Sequence, residues 1–112
     1  MNKKPTSKKY YRPLPDSLTI LKSRIEGLGL YSTEIIEGGR ILGITHVYNE
    51  EFEDNYIRTP LGGFINYSIY PNCYTVAIDS QSKNLSLVTL REIQIGEELT
   101  LKYHMYDPTK IE

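Results

Sequence analysis

A chain of 112 residues with 39% hydrophobic content has room for one domain with a modest core. No apolar run approaches the roughly 20 residues of a membrane helix and no leader pattern of charge, apolar stretch and small-residue cleavage site occurs, so no membrane partner is expected and the setting reads as cytoplasmic or otherwise intracellular. One cysteine and two histidines exclude an intrachain disulfide and a multi-cysteine zinc site, and no metal is expected.

The net charge of −1 is unevenly spread. Lys3, Lys4, Lys8, Lys9 and Arg12 precede Asp16, the first acid, and from there eight basic residues face fourteen acidic ones, which makes −6. Residues 1–15 therefore read as a basic, flexible N-terminal arm and 16–112 as a single domain. An acidic body attracts a basic ligand such as a Lys-rich peptide and argues against nucleic acid as a partner.

Leu18-Thr19-Ile20-Leu21 predicts a first strand, left through Lys22, Ser23 and Arg24. Gly27-Leu28-Gly29-Leu30-Tyr31 reads as a tight turn open to close backbone approach, and it lacks the third glycine and long helix of a dinucleotide site. Glu37-Gly38-Gly39-Arg40 is a second turn, and Ile41–Tyr48 predicts a strand. Asn49–Asn55 is an acidic loop, and Thr59-Pro60-Leu61-Gly62-Gly63 is a breaker. Tyr74–Ile78 and Leu85–Leu90, separated by the polar run Asp79–Asn84, predict a hairpin with Leu85 and Leu87 inward. Arg91–Glu98 is a connector turning at Gly96. Leu99–Tyr103 is the last strand, with Leu99, Leu101 and Tyr103 on one side and Thr100 and Lys102 on the other. The class is mainly β, with few short helices.

The organising stretch is Gly63–Cys73. Asn66, Ser68 and Asn72 are hydrogen-bonding residues set among Phe64, Ile65, Ile69 and Tyr70, and Pro71 holds Tyr70 extended. It reads as a loop packed onto the body, in the position where loops on rigid scaffolds carry function.

Three stretches in this order resemble the signature of SET-domain protein lysine methyltransferases: Gly27-Leu28-Gly29-Leu30-Tyr31, Asn66-Tyr67-Ser68 with Pro71-Asn72-Cys73, and Gly96-Glu97-Glu98-Leu99-Thr100-Leu101-Lys102-Tyr103. Tyr67 stands where the family has His, and Lys102 where many relatives have Asp. The insert between the Ile44 strand and the Asn66 loop is short, and flanking Cys-rich modules are absent, as in the minimal versions encoded by some viruses, phages and bacteria.

The resemblance implies a SET-domain fold of several small sheets, in which the C-terminal segment threads, knot-like, under the Asn66 loop. It implies methyl transfer from S-adenosylmethionine to a lysine of a protein or peptide substrate, histones being the family's best-known class, with S-adenosylhomocysteine as product. It implies Tyr103 as the catalytic residue, with Leu28, Gly29, Leu30, Tyr31, Asn66, Tyr67 and Tyr106 at the cofactor. The implied lysine channel takes Tyr48, Tyr70, Leu101 and Tyr103, and Tyr106 is open to stacking on adenine, lining the channel or packing in the core. The short insert leaves room for a homodimer that completes the groove. Two other readings stand beside this one: a SET-like interaction module that has lost turnover, and a small β nucleic-acid binder using the Lys-rich arm and exposed Tyr.

Overall fold

The computed structural model describes residues 13–79 and 81–102. In them the chain forms β1 (Leu18–Lys22), β2 (Leu28–Ser32), β3 (Ile41–Tyr48), β4 (Tyr56–Arg58), α1 (Pro60–Gly63), β5 (Asn66–Tyr67), β6 (Cys73–Val76), β7 (Leu85–Thr89) and β8 (Glu98–Leu101). The mainly β class follows the sequence reading, as do β1, β3, β6, β7 and β8, whereas the sequence predicts a turn at β2, part of a loop at β5 and no strand at β4.

β8 is the junction of two small sheets. Its first half pairs antiparallel with β2, Leu99 opposite Leu30 and Glu98 opposite Tyr31. Its second half pairs parallel with β5, Thr100 opposite Asn66 and Leu101 opposite Tyr67, and with β6 through Cys73. From β6 the second sheet runs on through β7 and β3 to β4. The Asn66 stretch and the last strand are thus neighbours in space. The rest of the expected threading falls on residues 103–112, outside the described residues.

The Gly27–Tyr31 stretch is mostly strand rather than turn. Only Gly27 takes a left-handed conformation, at φ +50°, and the Ser23 amide donates to its carbonyl at 2.7 Å. From Leu28 onward the backbone pairs residue by residue with β1, Leu28 opposite Lys22 through Ser32 opposite Leu18. The ladder satisfies backbone groups that a turn would leave to solvent.

The acidic Asn49–Asn55 run closes the β3–β4 hairpin, with the Asn49 amide donating to the Asn55 carbonyl at 2.8 Å. Strand β4 is too short to show a period in sequence. The Thr59–Gly63 breaker forms one helical turn. Thr59 caps it by accepting from the Gly62 amide at 3.3 Å, and Pro60 stands in the first turn, where no amide donor is required. Gly62 lets this turn lie against β3, because a Cβ there would sit 2.3 Å from the Thr45 carbonyl oxygen.

The β6–β7 hairpin forms as expected, with Cys73 opposite Thr89 and Val76 opposite Ser86. β7 lies between β6 and β3, so Leu87, Val88 and Thr89 are all buried. Leu18, Leu30, Ile36, Leu61, Ile65, Cys73, Leu87, Ile93, Leu99 and Leu101 form one core, against which Leu14 and Phe64 pack. Each fully buried aliphatic side chain contributes about 1.5–3 kcal/mol. The core lies beneath β8, which fixes the strand that carries the last motif.

Candidate active site

The site is built where β2, β5 and β8 meet. Asn66 lies on the two-residue strand β5, whose parallel pairing with β8 points its amide toward β2. Its Nδ2 donates to the carbonyls of Glu26 at 3.1 Å and Leu28 at 3.0 Å, and to Glu98 Oε2 at 3.0 Å. Tyr31, on β2, aims its hydroxyl at Glu98 Oε1 at 3.2 Å and at the Lys22 carbonyl at 3.1 Å. Ser23, in the β1–β2 turn, donates to the same carboxylate at 2.8 Å. The Ser23 oxygen in turn accepts from the amides of Ile25 at 2.8 Å and Glu26 at 3.3 Å.

Gly29 is buried between these groups. A Cβ there would lie 2.2 Å from Glu98 Oε2 and 3.1 Å from Asn66 Nδ2, so glycine alone lets the β2 backbone lie against both. Among the described residues only neutral hydroxyl and amide donors meet the Glu98 carboxylate. With the Glu26 and Leu28 carbonyls beside it, the patch is rich in acceptors and suits a cationic ligand.

Of the residues singled out in the sequence, Leu28, Gly29, Tyr31 and Asn66 are brought together here. Leu30 is fully buried in the core, so at this place only its backbone is on offer. Tyr67 follows Asn66 on β5, opposite Leu101, whose side chain belongs to the core. Tyr48 lies at the β3–β4 hairpin, its ring edge-on to Tyr56 at 5.6 Å, with Lys83 Nζ 4.8 Å above it. Tyr70 is 85% exposed. Tyr103 and Tyr106 lie outside the described residues.

Glu98 and Ser23 were not singled out as site residues. Glu98 stood in plain view inside the third motif, where it read as the end of a connector. Ser23 carried no sequence signal, because only the β1–β2 turn brings it under the carboxylate.

Below the site, Asn72 is buried and tied to β8 on both sides of its amide. It also donates to Glu97 Oε2 at 3.3 Å. The Arg91 guanidinium hydrogen-bonded to Glu97 holds that carboxyl below its usual range. Among the described residues, no group of three or more His, Cys, Asp and Glu side chains is placed to hold a metal ion.

This arrangement of small sheets is shared with solved methyltransferase structures. A crystal structure of a Plasmodium falciparum chain assigned as a histone methyltransferase superimposes with a TM-score of 0.64 at 27% identity, covering 81% of this chain and 96% of that one. The methyltransferase domain of human PR domain-containing protein 2 shares the fold at a TM-score of 0.62 and 16% identity, covering 81% and 79%. Residues 45–104 match the SET domain family, and the chain belongs to it. Among curated relatives, the histone-lysine N-methyltransferase trithorax of Drosophila virilis is 31% identical over 117 residues, 79% of this chain. An H3 lysine-36 specific histone-lysine N-methyltransferase of Aspergillus oryzae is 36% identical over 69 residues, 56% of this chain. The chain spans 3% and 7% of the length of these two relatives.

Proposed function

We propose that this chain transfers a methyl group from S-adenosylmethionine to the side-chain amine of a lysine in a protein or peptide. Membership of the SET family carries the reading. The convergence of Gly29, Tyr31 and Asn66 on an acceptor-rich patch supports it, because that patch suits a ligand bearing sulfonium and ammonium charges. The relatives act on histones by name, and the acidic body favours the same kind of Lys-rich substrate.

The cofactor supplies an electrophilic methyl on sulfur and leaves as S-adenosylhomocysteine. In this reading Gly29, Tyr31, Asn66 and Tyr106 hold it, together with the backbone at Leu28, Leu30 and Tyr67. The chain's remaining tasks are alignment and deprotonation. A lysine with an ordinary pKa near 10.4 costs about 4.6 kcal/mol to deprotonate at pH 7. A channel walled by Tyr103, with Tyr48 and Tyr70 closing on the bound substrate, lowers that cost by desolvating the ammonium, and Leu101 backs it from the core. Tyr103 orients the amine on the line of attack, which is a proximity effect. The finer parts of the proposal are an intracellular setting and a second copy that completes the groove left by the short insert.

Calorimetric titration with S-adenosylmethionine tests the reading. Wild type binds at micromolar concentration, and Asn66→Ala binds more weakly. Tyr103→Phe binds as wild type does but loses turnover on a histone-tail peptide by about a hundredfold. A folded wild type that does not bind overturns the enzyme reading in favour of an interaction module.

A further inference from the structure

The cofactor reading counts Glu98 only as one acceptor of the patch, yet Glu98 is where the site's elements converge. Its carboxylate joins the β1–β2 turn through Ser23, β2 through Tyr31, and β5 through Asn66, from a backbone on β8. We infer that Glu98 is the positioning residue of the cofactor site, fixing the Asn66 amide so that its Oδ1 is the atom offered to the ligand. The inference rests on the S-adenosylmethionine reading and adds to it which end of the amide does the binding.

The Asn66 amide is nearly symmetric in shape, and its two ends differ only in donating or accepting. Nδ2 has two hydrogens and faces three acceptors, the Glu26 and Leu28 carbonyls and Glu98 Oε2. Turning the amide over would set Oδ1 against three acceptor oxygens, one of them charged. The neutral carbonyls alone bias the amide, and the carboxylate adds a charge-assisted bond, roughly twice as strong as a neutral one. Oδ1 has no hydrogen-bond partner among the described residues. An acceptor at that place suits an N–H or ammonium group of the ligand.

Orientation and charge are separable at position 98. In Glu98→Gln, the amide oxygen takes the place of Oε2 and accepts from Asn66 and Ser23. Its Nε2 then donates to the Tyr31 hydroxyl, which still donates to the Lys22 carbonyl 3.1 Å away. The network is kept without the charge. Glu98→Asp does the reverse, because the charge stays but the shorter side chain withdraws it from Asn66. Glu98→Ala removes both and leaves a space beside Gly29.

The test is titration of wild type and the three variants with S-adenosylmethionine and S-adenosylhomocysteine, alongside thermal melts. Glu98→Gln keeps its Kd within about threefold of wild type, whereas Glu98→Ala weakens it at least tenfold and Glu98→Asp falls between. In an Asn66→Ala background the Glu98→Ala loss in Kd disappears, while its effect on Tm persists. A purely structural role moves Tm without this coupling. Glu98→Ala binding as wild type does, Glu98→Asp binding better than Glu98→Gln, or a Glu98→Ala loss undiminished in the Asn66→Ala background each overturns the inference. Should Glu98→Ala fail to fold, the order of Gln over Asp decides alone. A wild type that does not bind removes the cofactor reading and this inference together, whereas a wild type that binds with indifferent variants removes only the inference.

Discussion

Asn72 clamps Thr100 from side chain and backbone: its Oδ1 accepts from the Thr100 backbone amide at 2.8 Å, and its own backbone amide donates to the Thr100 hydroxyl at 3.3 Å. The same carboxamide donates through Nδ2 to the Glu98 carbonyl at 2.9 Å, so one side chain ties Glu98 and Thr100, either side of Leu99 on β8, to the loop. Asn72 and Thr100 are both buried, away from water that would replace a lost partner. This loop follows Asn66 directly, so the clamp also fixes where the amide of the site stands.

Asn72→Ala strands a buried amide and a buried carbonyl at once. A buried group left unsatisfied costs about 1–3 kcal/mol. The expected loss is about 2–4 kcal/mol in urea unfolding, with a weaker Kd for S-adenosylmethionine in the fraction that stays folded. Thr100→Val keeps both carboxamide bonds to the β8 backbone and strands only the Asn72 backbone amide, whose bond is long at 3.3 Å, so it costs about 1 kcal/mol, the low end for an unsatisfied buried group. Equal losses in the two variants would show that the carboxamide bonds to β8 carry no special share.

Asn72 also shows how far the sequence could be read. As the middle of Pro71-Asn72-Cys73 it was visible as part of a motif, and the resemblance placed the Asn66 loop beside the last strand. The β6–β7 hairpin was legible because its period-two pattern and polar turn are local signals. What stayed hidden was non-local. Thr100, with its polar side chain, reads as facing away from the core, yet it is buried because Asn72 satisfies it there. Gly27–Tyr31 read as a turn because glycines dominate it, while its pairing with β1 depends on a partner elsewhere in the chain. Glu98 is one of fourteen acids, and nothing local marks it as the acid under which Ser23, Tyr31 and Asn66 gather.

Cys73 is expected to be chemically silent in the folded protein. It is 1% exposed on β6, and burial pushes its thiol up to about 12, against a smaller opposing pull from Arg91. At pH 8 such a thiol is ionised in about one molecule in 10⁴, against about one in four for an ordinary cysteine. A thiol-reactive dye therefore labels the native protein slowly and reaches one equivalent promptly in urea. Since Cys73 is the only cysteine, its labelling rate in native buffer reports opening of the β6–β8 region. Fast native labelling would mean that β6 separates readily from β8.

His46 sets a pH dependence that is testable without any ligand. It is buried on β3, its Nδ1 is 2.7 Å from the Thr45 hydroxyl, and its ring stands edge-on to Tyr56. Burial, and then the nearby Arg58 charge, lower its pKa to about 4 from 6.5. The folded state therefore keeps His46 neutral between those values, while the unfolded chain takes up a proton. The unfolded state binds more protons in that window, so stability is constant with respect to this group above about pH 6.5 and falls as pH drops toward 4. The slope approaches about 1.4 kcal/mol per pH unit where the proton difference is near one. Glu97, held down by Arg91, loses its own stabilisation at lower pH, in and below the carboxylate range, so measurements between pH 5 and 7 separate the histidine range from Glu97. Urea unfolding of wild type should lose stability from pH 7 to pH 5, and His46→Asn, whose amide keeps a polar partner for Thr45 but does not titrate, should lose markedly less. Parallel curves for the two proteins would assign the dependence to other groups.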